Sequence, residues 1–290
     1  MMSISHTLFK KKVARSVGGD IVLVLFLALM GLLMILPFVY TISTSLKPAN
    51  ELWLFPPRFF VIKPTMKNFG DLFSLMSDSW IPFSRYIFNT VFITAAGTLL
   101  HIVLASMCAY PLSRYRFPGS RFIFSVIQTT LMFSSAVTAI PSFIIMSRLH
   151  LIDTYTAVIL PAVGAPLGLF IMKQFMDQTV NLSVLESADI DGAGEGTKFF
   201  KLVMPMAKPA WITLMIFTVQ SLWGLGSSSY IFSEQLKTLS YALSQVQAAG
   251  IARAGVGGAI TVLMMLVPLT VFVVSQSNII ETMSTSGMKD

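Results

Sequence analysis

Apolar residues fall into six long runs, at about 20–44, 86–111, 121–147, 155–176, 209–229 and 257–281, separated by polar or proline-rich stretches. A bilayer core about 30 Å thick needs roughly 20 apolar residues per helix. Each run is long enough, so the pattern predicts six transmembrane helices in one domain, an all-α integral membrane protein. One long polar island interrupts the hydrophobic second half: Glu186-Ser187-Ala188-Asp189-Ile190-Asp191-Gly192-Ala193, continuing through Phe199 and Phe200 to Pro205 and Pro209. Helical spacing groups Val184, Leu185 and Ala188 on one face and leaves Glu186 and Asp189 on another. Gly192 and Gly194 would stop that helix, and Gly192 is the position expected to need positive φ. A second apolar set, Phe199, Val203 and Met206, predicts another short helix with Lys198 and Lys201 pointing away. The shape expected is helix, glycine bend, helix.

Composition agrees with a bilayer protein. The 290 residues are 54% hydrophobic and 11% charged, with a mean hydropathy of +0.75, too much apolar surface for a soluble globule. The net charge of +7 does not point to nucleic acid, because the basic residues sit in short clusters between apolar runs. Lys10, Lys11, Lys12 and Arg15, then Arg114, Arg116 and Arg121, then Lys173, Lys198, Lys201 and Lys208 fall on one side of a six-span topology. The positive-inside rule makes that side cytoplasmic, together with both termini and the Glu186 loop. The first run is longer than a signal-peptide core and lacks a small-x-small cleavage site, so it is expected to be retained. The expected division is a cytoplasmic segment 1–19, a permeating domain 20–281 with its loop at about 177–208, and a tail 282–290. Cys108, the sole cysteine, excludes an intramolecular disulfide and reads as a small buried hydrophobe.

Polar residues inside the runs are candidates for packing or for a wet path. His101 reads as a neutral histidine bonded to a neighbouring helix, or as a functional group. Gly164 and Gly168 permit a close helix contact, expected within the chain. Asn89, Gln128, Gln220 and Trp223 are the candidates for a translocation path. The loop at 45–85 combines Pro48, Pro56, Pro57 and Pro64 with Trp53, Phe55, Phe59 and Phe60, which suits an interfacial segment or an extracellular docking surface. Ser183-x-x-Glu186 matches a capping box.

Glu186-x-Ala188-x-x-Asp191-Gly192-Ala193, nine residues from Ala193 to Lys201, and Leu202-x-Met204-Pro205 together resemble the "EAA" loop of membrane permeases of ATP-binding-cassette importers. Tyr110-Pro111-Leu112-Ser113-Arg114-Tyr115-Arg116-Phe117-Pro118-Gly119 and the stretch from Leu131 to Pro161 are similar to the maltose-permease-like, carbohydrate-uptake branch. The resemblance implies a type I importer permease fold in a bacterial plasma membrane. It further implies a second homologous permease (a heterodimer), two cytoplasmic ATP-binding subunits, an extracytoplasmic solute-binding protein and a sugar substrate. Glu186, Ser187, Ala188, Asp191, Gly192, Ala193 and Pro205 would couple to the ATPase. This chain has no Gly-x-x-x-x-Gly-Lys-Ser/Thr loop, so ATP and Mg would be bound by the partner, not here, and the chain is not expected to be an enzyme. The rival reading is a self-contained ion-coupled transporter, which needs ion-binding groups at mid-membrane. A structural membrane protein is the third.

Overall fold

A computed structural model describes residues 17–77, 81–226, 229–248 and 253–286, and regular structure there is helical throughout. Lys10 to Arg15, Ser227 and the tail from Gly287 lie outside the described residues. The chain forms two compact units, 1–72 with 253–262 and 73–252 with 263–290.

In the first unit, α1 (Val17–Leu46) leads into an irregular loop and the start of α2 (Lys67–Ser77). The apolar side chains of α1 are exposed along almost its whole length, as in a helix whose solvent is lipid. The loop after it is held by buried polar groups. Glu51 accepts hydrogen bonds from the Ile62 and Lys63 amides at 3.0 and 2.9 Å. Lys47 is buried and donates to the Arg58 carbonyl, while the Asn68 amide donates to Ser45 and Lys47 carbonyls at 2.8 and 2.7 Å. The Ile62 N–H, foremost, holds the Glu51 carboxyl below its usual range. On this scaffold Trp53, Phe55 and Phe60 face outward.

The second unit is built on α3 (Phe83–Arg114), with α4 (Ser120–Thr130), α5 (Ser135–Arg148), α6 (Tyr155–Val163) and α7 (Pro166–Thr179) following. Next come α8 (Leu182–Ile190), α9 (Glu195–Met206), α10 (Lys208–Trp223) and α11 (Leu239–Gln247). The last helix, α12 (Ala254–Ser286), starts in the first unit and continues in the second. One face of α3 carries Ile93, Gly97, His101 and Ala105 at four-residue spacing, all buried. Against it lie α6, α7 and α10.

Four of the six apolar runs form helices long and apolar enough to cross a membrane: α1, α3, the tandem α6–α7 (Tyr155–Thr179) and α12. The fifth is α10, one limb of a pair bent by 77° from α9. The third run is two helices in series, interrupted at residues 131–134; Ser134 caps α5 by accepting from the Ala136 amide. Between α6 and α7, Gly164 ends one helix and Pro166, which lacks an N–H, begins the next.

Histidine and glycine meet inside this bundle as the packing reading anticipates. His101 is buried, and its Nδ1 lies 2.8 Å from the Val163 carbonyl. A Cβ built on Gly168 would stand 2.2 Å from His101 Nε2. Gly168 is therefore the seat of the imidazole ring, a contact within the chain. Gly168→Ala is expected to lower stability by about 1–3 kcal/mol through overpacking, read as earlier thermal unfolding in detergent. Adding His101→Ala should recover part of that loss; strict additivity would contradict the contact.

Candidate functional site

The Glu186 island folds as helix, glycine bend, helix. In α8, Leu185 and Ala188 are buried and Val184 half-buried, while Glu186, Ser187 and Asp189 are exposed. The helix ends in a Schellman arrangement: the Gly192 amide donates to the Asp189 carbonyl at 3.0 Å and the Ala193 amide to the Ala188 carbonyl at 2.9 Å. Gly192 has φ +74°, a left-handed conformation in which a Cβ is costly. This explains the order Asp191-Gly192-Ala193: a helix cap, a residue without Cβ, and an amide that returns to the helix.

Three expectations are corrected. Cys108, expected as a small buried hydrophobe, is exposed on α3. The capping box does not form, because α8 already begins at Leu182, with Asn181 as its flanking cap residue. Ser183 lies inside the first turn, where its carbonyl accepts from the Ser187 hydroxyl at 2.9 Å. Lys198 does not point away. It is buried, and its ammonium forms ion pairs with Asp189 of α8 and with Glu195, the latter at 2.7 Å.

The cause lies in the backbone. Residues Lys198–Val203 within α9 form a π-turn, and the Met204 amide donates to the Phe199 carbonyl, five residues back. This wide turn directly precedes Pro205, which has no N–H and whose ring would collide with the Lys201 carbonyl in regular α geometry. It brings Lys198 and Phe199 inward together, with Val203 fully buried. Beyond Pro205 the chain turns at buried Ala207 into α10, and the Trp211 indole donates to the Met204 carbonyl at 3.2 Å across the bend.

Apolar packing and a polar lattice both tie this segment to the bundle. Leu185, Phe199, Val203 and Ala207 share one buried cluster with Met172, Met176 and Val180 of the α7 end and with Ala109 and Tyr110 of α3. The Tyr115 hydroxyl, just past α3, donates to Glu195 at 2.6 Å, and the Tyr110 hydroxyl lies 3.2 Å from the same oxygen. The Lys198 hydrogen bond, then that of Tyr115, holds the Glu195 carboxyl below its usual range. Asp189 first and Glu195 second raise the Lys198 ammonium above its own. Alongside, Arg114 donates to the Met176 carbonyl, and Ser113 donates to Asp177 at 2.7 Å. The sequence reading missed Tyr110, Tyr115 and Glu195. The spacing of Glu195 and Lys198, three apart on one helix, is the signal that marks the pair.

The residues considered for a path are not brought together. Asn89 is fully buried near the start of α3, where its amide donates to the Gln235 and Lys237 carbonyls and accepts from Tyr155. Gln128 and Gln220 are exposed on α4 and α10. Trp223 is buried, its indole donating to the Met264 carbonyl at 3.0 Å. Of the residues expected from the resemblance to couple to an ATPase, Glu186, Ser187, Asp191 and Pro205 are exposed and Ala193 half-buried.

Residues 101–283, more than half the chain, match the family described as binding-protein-dependent transport system inner membrane component. The chain belongs to that family. This permease is 31% identical over 227 residues to the protein LplC of Bacillus subtilis, covering 77% of this chain and 72% of LplC. It is 31% identical to the arabinooligosaccharides transport system permease protein AraQ of the same organism, covering 78% of this chain and 80% of AraQ. It is also 32% identical to the polygalacturonan/rhamnogalacturonan permease YtcP, again from B. subtilis, covering 73% and 72%. Its fold matches a chain of a bacterial ABC transporter that imports the acidic polysaccharide alginate, with a TM-score of 0.77 at 22% identity, over 92% of this chain and 99% of that one.

Replacing Gly192 tests the bend. Nothing lies within 4 Å of a Cβ there, so Gly192→Val strains the backbone and not the packing, by about 1–2 kcal/mol. Faster protease cleavage at residues 190–194 of the permease is expected; an unchanged cleavage rate would contradict the strain.

Proposed function

We propose that this permease forms half of the translocation path of an ATP-driven, binding-protein-dependent sugar or oligosaccharide importer, and that α8 with the Gly192 bend receives the stroke of a cytoplasmic ATPase. The observation that carries the reading is the pairing of a right-angled mount with an uncovered apolar surface. α9 is set at 77° to α10, so if α10 crosses the bilayer, α9 lies along its face. On α9 Phe200 is 59% exposed, and on the preceding α8 Ile190 is 87% and Leu182 55% exposed, with Glu186 and Ser187 exposed on that same helix. Such a mixed patch on a well-packed base suits a protein partner.

Arg114, Arg116, Arg121, Lys173, Lys201 and Lys208 gather near this end in sequence, which supports a cytoplasmic position for it and for both termini. ATP and Mg would be held by two partner subunits. A second, different permease would complete the path, and a solute-binding protein would deliver substrate at the opposite end, where Asn89, Tyr155 and the 230–238 loop are bonded together. The names of this chain's relatives AraQ and YtcP support a carbohydrate as the substrate class. An ion-coupled carrier finds less support: the His101 ring is hydrogen-bonded to the Val163 carbonyl, and the family match and the named relatives are those of binding-protein-dependent and oligosaccharide permeases.

Glu186→Lys reverses a charge on an exposed face without touching the core. It is expected to lower recovery of the ATPase subunit on the tagged permease about tenfold, the loss of one charge-assisted contact of roughly 1.5 kcal/mol. Unchanged recovery would contradict the docking face. In vesicles, the assembled complex with binding protein should take up an oligosaccharide from a pectin, arabinan and alginate panel only with ATP. Ion-driven uptake by this chain alone would overturn the importer reading.

A further inference from the structure

A lysine that is 4% exposed needs a reason, because an unpaired buried ammonium is expensive. Lys198 has two carboxylate partners, and each belongs to a different piece of the segment. Asp189 sits in the last turn of exposed α8; Glu195 begins α9 and is held in turn by Tyr115 and Tyr110 at the end of α3. The Gly192 bend between α8 and α9 carries no side-chain packing at its two glycines, since a Cβ at Gly192 or Gly194 would face open space. Backbone alone would leave α8 free to pivot there. The polar chain Asp189, Lys198, Glu195, Tyr115 closes across that pivot.

We infer that Lys198 is a positioning residue for energy coupling: it clamps α8 to α9 and, through Glu195 and the two tyrosines, to the end of α3, so that the three move as one lever. This rests on the reading above that α8 takes the ATPase stroke. The apolar cluster holds the inner face of the lever, while the ion pairs fix its angle. Without the clamp, a push on α8 would be absorbed by the Gly192 bend and would not reach α3. The arrangement is a contiguous chain of ion pairs and hydrogen bonds, one of the physical routes by which a displacement passes between distant elements. The π-turn is part of it, because Lys198 and Phe199 at its start and Val203 at its end are all buried there.

The test uses the full permease in its assembled complex, with nitroxide labels on the native Cys108, exposed on α3, and on Ser183→Cys at the start of α8. Pulsed electron resonance then reads the distance between the two helices. The clamp predicts a single narrow distance population, the same with and without ATP and vanadate. Lys198→Met should lose the narrow population and give a broad distribution, and Lys198→Arg, which keeps both ion pairs, should restore it. Asp189→Asn removes a partner that is itself exposed, so it gives the broad distribution even if Lys198→Met fails to fold. A narrow distribution in Asp189→Asn or Lys198→Met, or a wild-type distance that shifts with nucleotide, would overturn the proposal. If no ATPase subunit assembles with the chain, the functional reading above fails, while the nucleotide-free distances still decide the clamp.

Discussion

Everything in the coupling segment depends on one packing contact: Leu185, Phe199 and Val203 seated among Met172, Met176 and Val180. Burying such side chains stabilises by about 1.5–3 kcal/mol each, enough to hold a short helix that could not persist alone in water. The contact orients everything exposed. Once Leu185 and Ala188 face inward, three-to-four-residue periodicity puts Glu186, Ser187 and Ile190 outward. The same seating brings Asp189 and Lys198 to the rim, where they pair.

The ion pairs add direction to that adhesion. A buried pair contributes little net stability, since desolvation offsets attraction, but breaking it leaves a charge stranded. Such a site tolerates one geometry well and others badly. That property is useful where a helix must keep its angle under load, and it explains why a lysine occupies a position that an aliphatic residue would fill more cheaply. The opposite end of α3 follows a similar scheme without an ion pair at its centre: buried Asn89 spends its amide on the Gln235 and Lys237 carbonyls, and the Asp153 carboxylate accepts from the Phe232 and Ser233 amides. A single helix thus carries a bonded platform at each end, with Gly97 and Gly168 allowing close packing between them.

Much of this was legible in the residue order. Apolar run length located the spanning helices because lipid imposes a fixed thickness, and Asp191-Gly192-Ala193 announced a left-handed turn because only glycine adopts one without cost. Burial of His101 against a helix carbonyl also followed from its isolation in an apolar run. What stayed hidden was governed by tertiary context. Lys198 was assigned outward because regular α periodicity puts it there, and a π-turn is not written in periodicity. Ser183 looked like a cap because cap and interior serines share a sequence pattern; the actual cap, Asn181, lies two residues earlier and is set by how α8 seats. The break at residues 131–134 has no proline or glycine within it to mark it, and the run's proline, Pro141, lies inside α5. Asn89, Gln128, Gln220 and Trp223 were grouped by polarity or aromatic character, whereas the fold distributes them over different surroundings.

Hydrogen–deuterium exchange across residues 182–206, compared between the isolated permease and its complex with the ATPase subunits, addresses the central claim most directly. The account predicts that amides from Glu186 to Ala193 become protected when the ATPase is present, while those of Val203 and Ala207, already buried, change little. Equal exchange from Glu186 to Ala193 in both states, with the ATPase shown to be bound, would contradict it.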